Sequence, residues 1–239
     1  MRQFYRIARF RDARFPQPSN AAIPVGTLPG EPRPPVPFNQ HKAPDMAKYW
    51  EGKLIRLRGV EPDDAETHFH LNQEDDISRF QWVMNPPVSR AATRAWAEEA
   101  AVARPEGWPL GGHEFTAQME TLVDGALVGG IATHHADPRA GVFSYGLHVE
   151  APHRGKGYAK DAICLILRYY FQELRYQKCN VEAMAINEPS QKLHESLGFV
   201  REGRRRRVVF THGVHSDMVE YGITVEEFRE RHPDYWREP

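Results

Sequence analysis

Residues 153–165, His-Arg-Gly-Lys-Gly-Tyr-Ala-Lys-Asp-Ala-Ile-Cys-Leu, set two glycines and the cationic residues Arg154, Lys156 and Lys160 at the head of an apolar helical run. Glycine opens conformations closed to other residues and lets a ligand approach the main-chain N–H groups. The helix that follows adds the positive end of its dipole. Such a turn suits an anion, most often a phosphate. On these residues alone, a flexible strand-to-helix turn with incidental basic residues stays open. Three phosphate-loop patterns compete. The nucleotide P-loop needs Gly, four residues, then Gly-Lys-Ser/Thr, but here Lys156 lies between the glycines and no Ser or Thr follows. The dinucleotide fingerprint needs a small residue where Lys160 stands, and it opens a chain's first strand–helix–strand unit, whereas several strand-like segments come earlier here. The third pattern, Arg/Gln-x-x-Gly-x-Gly/Ala, is met by Arg154, Gly157 and Ala159.

The totals narrow the setting. The chain has 239 residues, 41% of them hydrophobic, which is enough for one ordinary domain plus an extension. A formal charge of −1 gives no general attraction to nucleic acid or membrane. Cys164 and Cys179 are too few for a metal site or a disulfide framework and suit a reducing compartment, so a cytoplasmic protein without metal is expected. No apolar run approaches membrane-spanning length. The opening MRQFYRIARFRDARF is basic but lacks an apolar signal core. Nine prolines fall within residues 16–44, and proline supports neither a helix interior nor a central strand. Residues 1–50 therefore read as an extended, flexible arm, or as sequence ahead of a start at Met46. A domain is placed at 53–228 and a tail at 229–239.

Within the domain, 53–58 alternates like a strand. The stretch from Glu61 turns helical after Pro62 and two aspartates, and Ser89 is placed to cap a second helix. Residues 114–133 form a hairpin around Asp124-Gly125, and 141–149 is another strand. The glycine turn then starts a helix over roughly 157–174, with Ala162, Ile163, Ile166, Leu167, Tyr170 and Leu174 on one face. A strand at 179–186 follows. Next comes a short helix with Pro189 in its first turn and Gly198 at its end. Two strands over 206–224 meet at His212-Gly213. This order implies an α/β (α+β-like) domain built on a single sheet.

Together these segments resemble the GNAT superfamily of acyl-CoA-dependent N-acetyltransferases. Within it they are most similar to the branch that acetylates ribosomal-protein N-termini at alanine or serine. The likeness spans about 53–225 and rests on DGALVGGIAT, YGLHVEAPHRGKGYAKDA, RYYFQELRYQKCNVEAMAINEPSQKLHESLGFVREG and SDMVEYGIT. The resemblance implies a mixed, mostly antiparallel sheet flanked by helices and splayed at a central parallel strand pair. It implies acetyl-CoA as co-substrate, its pyrophosphate held by the backbone of Arg154, Gly155, Lys156, Gly157, Tyr158 and Ala159. The Val149 N–H would polarise the thioester carbonyl, and Asn187 would bond the pantetheine amides or cap the late helix. The implied reaction is acetyl transfer to a primary amine by direct attack in a ternary complex. The amine belongs to a protein N-terminus or a small molecule, and a homodimer is an open alternative.

Two proton movements need residues. Relatives use a tyrosine on the late helix as the acid, a position that His194 occupies here. In the ribosomal branch a serine three residues after the asparagine takes this role, and Ser190 matches it. Both are expected catalytic residues. Many relatives carry a glutamate base where this chain has Ser144, leaving His148, His134, His135 and Glu114 as candidates. An α-amine, with pKa about 8, is easier to free of its proton than a lysine amine at about 10.4, so a weakly basic acceptor is expected. Relatives build the acceptor wall from regions that here hold Phe80, Trp82, His212 and His215. Five arginines between 201 and 207 read as a charged strand edge or as contacts to an acidic group, and neither nucleic acid nor membrane is expected as a partner. A non-catalytic acyl-CoA-binding sensor is the alternative.

Overall fold

A computed structural model describes residues 48–73, 86–103 and 113–236. The expected arm up to Ala47, and with it Phe80 and Trp82, lies outside the described residues. The described chain is built on a seven-stranded sheet. Its strands are β1 (Ile55–Arg58), β2 (Thr116–Thr121), β3 (Leu127–Asp137), β4 (Val142–Val149), β5 (Lys178–Met184), β6 (Val200–Thr211) and β7 (Val214–Thr224). The spatial order is β1-β2-β3-β4-β5-β7-β6. All neighbours run antiparallel except β4 and β5, which are parallel and pair at just two positions, Val142 with Lys178 and Phe143 with Cys179. Beyond them the strands part, so the splayed, mostly antiparallel sheet expected from the sequence is present.

The helices are α1 (Ala65–Leu71), α2 (Arg90–Val102), α3 (Tyr158–Arg168), α4 (Glu188–Leu197) and α5 (Val225–Arg231). Ser89 caps α2 by accepting the Ala92 N–H. The long helix expected to reach residue 174 is regular only to Arg168 and finishes as one wide turn over Tyr169–Glu173. Side chains alternate across a strand, and β4 shows which layer each face meets. Phe143 and Tyr145 join the main core with Ile163, Leu167 and Tyr170, and Phe143 stacks on Tyr170 at 3.7 Å. On the opposite face His148 meets His68 of α1. There a smaller cluster of Val60, Ala65 and Ala97 joins α1 to α2.

β6 begins at Val200, well before the expected 206. The arginines are tolerated in a strand because acids lie on the neighbours. Arg204 pairs with Asp217, Arg205 with Glu220 at 2.7 Å and with Glu182, and Lys178 with Glu202. The register slips twice along the strand, and Arg207 takes φ +57° while donating its N–H to Asp217.

One carboxylate ties distant parts of the chain together. Asp161, in the first turn of α3 and 2% exposed, accepts the backbone N–H groups of Lys53, Leu54 and Ile55 at 3.1, 2.6 and 3.0 Å. It also accepts the hydroxyl of Tyr235, in the stretch where the sequence reading places a tail. Asp161→Ala leaves three N–H groups without their acceptor, that of Ile55 buried and those of Lys53 and Leu54 part-buried. The expected loss is roughly 3–5 kcal/mol of folding stability, read as a lower urea midpoint with an unchanged slope. A midpoint within error of wild type would contradict this role.

Candidate functional site

β4 and β5 run parallel and separate toward their carboxyl ends, the end at which open α/β sheets collect ligands. The main chain lining this gap can be read from the pairing. Glu150 N–H bonds Val128 O, and bonded and non-bonded pairs alternate along an antiparallel ladder. The register Gly130–His148, Gly129–Val149 therefore turns the N–H and C=O of Tyr145, Leu147 and Val149 away from β3, toward the gap. The same count across β5, from Ala185 N–H on Asp217 O, turns Asn180, Glu182 and Met184 to face them.

At the upper end of β4 the chain makes a short turn, Ala151–His153, and then the glycine loop. Gly155 and Gly157 adopt φ of +76° and +90°, left-handed values that a side chain would strain. A Cβ on Gly155 would meet nothing within 4 Å, so the backbone there is open to solvent. Gly157 is the N-cap of α3 and offers no side-chain cap, which leaves the first-turn N–H groups available to an anion. Arg154 and Lys156 are exposed, whereas Tyr158 and Ala159 are half-buried. Arg154 bends back so that its Nε donates to Val149 O at 3.0 Å. Through Arg154, the end of β4 is thus tied to the glycine loop of residues 154–159. Its open backbone, uncapped helix start and flanking cations fit a diphosphate.

Asn187 stands across the gap, beyond the end of β5. Its side chain accepts the Ser190 N–H at 3.1 Å and so caps α4. Ser190 is half-buried, with its Oγ 3.4 Å from His194 Nδ1. His194 is 5% exposed. Its Nδ1 lies 2.8 Å from Ser190 O and is the donor there, which makes Nε2 the acceptor for the Tyr145 hydroxyl at 3.0 Å. Burial pushes His194 down to about 4, so it is neutral near pH 7. Burial likewise raises Tyr145 well above the ordinary phenol value. The structure thus brings Ser190 and His194 together and adds Tyr145, which the sequence reading missed. The signal that could have found it was the strand alternation that sets Tyr145 on the same face as Phe143.

The base candidates lie apart from this group. Glu114 Oε1 accepts the Ala136 N–H, and His135 takes φ +52° at an irregular step of β3. His134 pairs in register with Ser144, and burial lowers it to about 4. His148 is lowered to about 3 by burial, then by the nearby His68 and Arg154. His212, at φ +53°, forms the β6–β7 turn, and the His215 ring packs 5.0 Å from that of Phe210. Among the described residues no three His, Cys, Asp or Glu side chains are placed to hold a metal, and no helix is long and apolar enough to cross a membrane.

Comparison with known proteins bears on this geometry. Residues 55–200 match the family described as "Acetyltransferase (GNAT) domain". The chain is 38% identical over 184 residues to the "SPbeta prophage-derived uncharacterized N-acetyltransferase YokL" of Bacillus subtilis, covering 77% of this chain and 97% of that one. It is 31% identical over 181 residues to "Putative ribosomal N-acetyltransferase YdaF" of the same organism, covering 73% and 93%. The fold is shared with the spermidine N-acetyltransferase of Vibrio cholerae in complex with CoA and spermine, at 20% identity and TM-score 0.61, over 73% of this chain and 97% of that chain.

The buried histidines carry a prediction about acid. His194 takes up a proton near pH 6.5 when unfolded but only near 4 when folded. Its contribution to stability is therefore complete above about 6.5 and drains away as the pH falls toward 4, at up to about 1.4 kcal/mol per pH unit. Urea unfolding at pH 7, 6 and 5 is expected to show this slope, and His194→Gln to make it shallower. Equal slopes in the two proteins would contradict it.

Proposed function

The chain belongs to the GNAT acetyltransferase family, and we propose that it transfers an acetyl group from acetyl-CoA to the primary amine of a protein N-terminus or a small molecule. The carrying observation is the pairing of an uncapped, glycine-opened helix start with a parallel strand pair that stops pairing after two positions. Acetyl-CoA supplies the acyl group already activated as a thioester. The N–H groups from Arg154 to Ala159 and the start of α3 hold its diphosphate, worth roughly 0.3–1 kcal/mol per anionic group from the helix end alone. Arg154 and Lys156 add charge, and Asn187 holds the α4 side of the gap.

Val149 N–H, turned toward the gap, donates to the carbonyl oxygen as negative charge develops there, an effect worth a few kcal/mol. Binding both reactants in line removes much of the entropic barrier to direct attack. Ser190 delivers a proton toward the departing sulfur. His194 is carried over as its partner: neutral at pH 7, it holds the first turn of α4 through Ser190 O and anchors Tyr145 behind it. The likeness to the ribosomal N-acetyltransferase favours a protein N-terminus as acceptor, and the shared fold of the spermidine enzyme keeps a small amine in view.

Calorimetry is expected to show acetyl-CoA binding to the folded protein. Gly157→Ala, strained at φ +90°, is expected to weaken it about tenfold or more. Ser190→Ala is expected to lower kcat by about 10²-fold while acetyl-CoA affinity holds. Folded protein with no affinity for acetyl-CoA would overturn the proposal. Binding without thiol release in the presence of any amine would leave a sensor in its place.

A further inference from the structure

The hairpin of β6 and β7 runs past the rest of the sheet. β5 pairs with β7 as far as Met184 opposite Met218, and one more hydrogen bond, from Ala185 N–H to Asp217 O, ends that contact. Residues 206–217 therefore stand beyond β5 as a two-stranded ribbon at the outer edge of the sheet. Val219 and Tyr221 lie in the main core, so strand alternation sets Asp217 and His215 on that same face of the ribbon. Phe210 pairs in register with His215 and packs its ring 5.0 Å away. Here the face lies open: Phe210 is 62% exposed and the nearby Val208 50%. The register slip between Arg205 and Val209 pushes Arg206, Arg207 and Val208 out of the ladder opposite the single residue Asp217. Arg205, Arg206, Arg207, Val208 and Asp217 line an open concavity there. The carboxylate in that set is already engaged. Asp217 Oδ1 accepts the Arg207 N–H at 2.8 Å, and Oδ2 accepts from Arg204 Nε at 2.7 Å. Arg205 is held by Glu182 and Glu220. The guanidinium groups of Arg206 and Arg207 have no hydrogen bond or ion pair among the described residues. Arg207 occupies its place at φ +57°, where glycine would sit with less strain.

We propose that this ribbon is a docking surface for an acidic protein segment, whose carboxylates meet Arg206 and Arg207 while its apolar side chains cover Phe210 and Val208. Charge complementarity selects this occupant. A guanidinium grips a carboxylate with two parallel N–H donors, and both open cations stand in one bulge beside exposed apolar surface. A second copy presenting the same ribbon would set arginines against arginines. Single-stranded nucleic acid calls for a row of aromatic faces on which successive bases stack, whereas the Phe210 ring already meets His215 at a tilt of 59°. The bulge and its charges break the edge ladder, so the partner is held by side chains and not as an added strand. β5 and β7 stand between β6 and the β4–β5 gap. The docking is therefore separate from acetyl-CoA binding, and it does not rest on the acetyl-transfer reading.

The test is fluorescence anisotropy of the full-length protein with an array of labelled peptides that combine several Asp or Glu residues with Leu, Val or Phe. The tightest members are expected to lose about tenfold or more in affinity to the double variant Arg206→Ala, Arg207→Gly, and about fivefold to Phe210→Ser. Binding is expected to weaken as salt rises from about 50 to about 300 mM. Arg207→Gly relieves the φ +57° backbone, so the thermal midpoint of the double variant is expected to hold. The wild type alone supplies a second comparison: peptides with serine in place of every apolar residue are expected to bind at least about fivefold more weakly. No binding by any peptide of the array at about 50 mM salt overturns the inference. Equal binding to the folded double variant, or equal binding of the serine peptides, overturns it as well. Tighter binding of an oligouridylate RNA of the same length, or a dimer that Phe210→Ser dissolves, puts nucleic acid or a second copy in the peptide's place and also overturns it.

Discussion

Two residue pairs hold β4 beside β5, and the gap above them organises everything around it. β4 is kept back by six consecutive register positions on β3, and β5 by seven on β7, so neither strand can swing across to pair further. The Tyr145–His194 hydrogen bond, enclosed by Phe199 and Tyr221, spans from β4 to α4 on the core side. The main chain left over on either side would be a liability in a closed sheet. Some of it is satisfied locally, by Arg154 on Val149 O and by Asn187 N–H on Met184 O. The remainder lines the slot between the two strands.

A carboxylate in the first turn of α3 would ordinarily compete with a bound diphosphate for the same helix end. Asp161 avoids this because its oxygens are taken by three N–H groups of the chain leading into β1 and by Tyr235. Its oxygens face the chain leading into the sheet's first strand and are stabilised there by those hydrogen bonds. The exposed loop keeps Arg154 and Lys156, and the electrostatics of the two ends stay separate.

The glycine loop was legible because its conformation admits few residues: at φ of +76° and +90°, glycine is the natural occupant. The mostly antiparallel sheet and the splay at its central parallel pair came through family likeness, and the geometry agrees. The early start of β6 was hidden because Arg204 and Arg205 look like loop residues until Asp217, Glu182 and Glu220 are set beside them from other strands. The burial of His194 depends on Tyr145, Phe199 and Tyr221, which lie far apart in sequence.

Tyr235 lies near the carboxyl end, yet its hydroxyl rests on a side chain four positions after Gly157. His232 extends the same link by bonding Leu197 O at the foot of α4. Both walls of the slot therefore lean on the last described turn of the chain. Proteolytic trimming there, or a bulky carboxyl-terminal fusion, would act at a distance on the first turn of α3 and on the α4 wall alike.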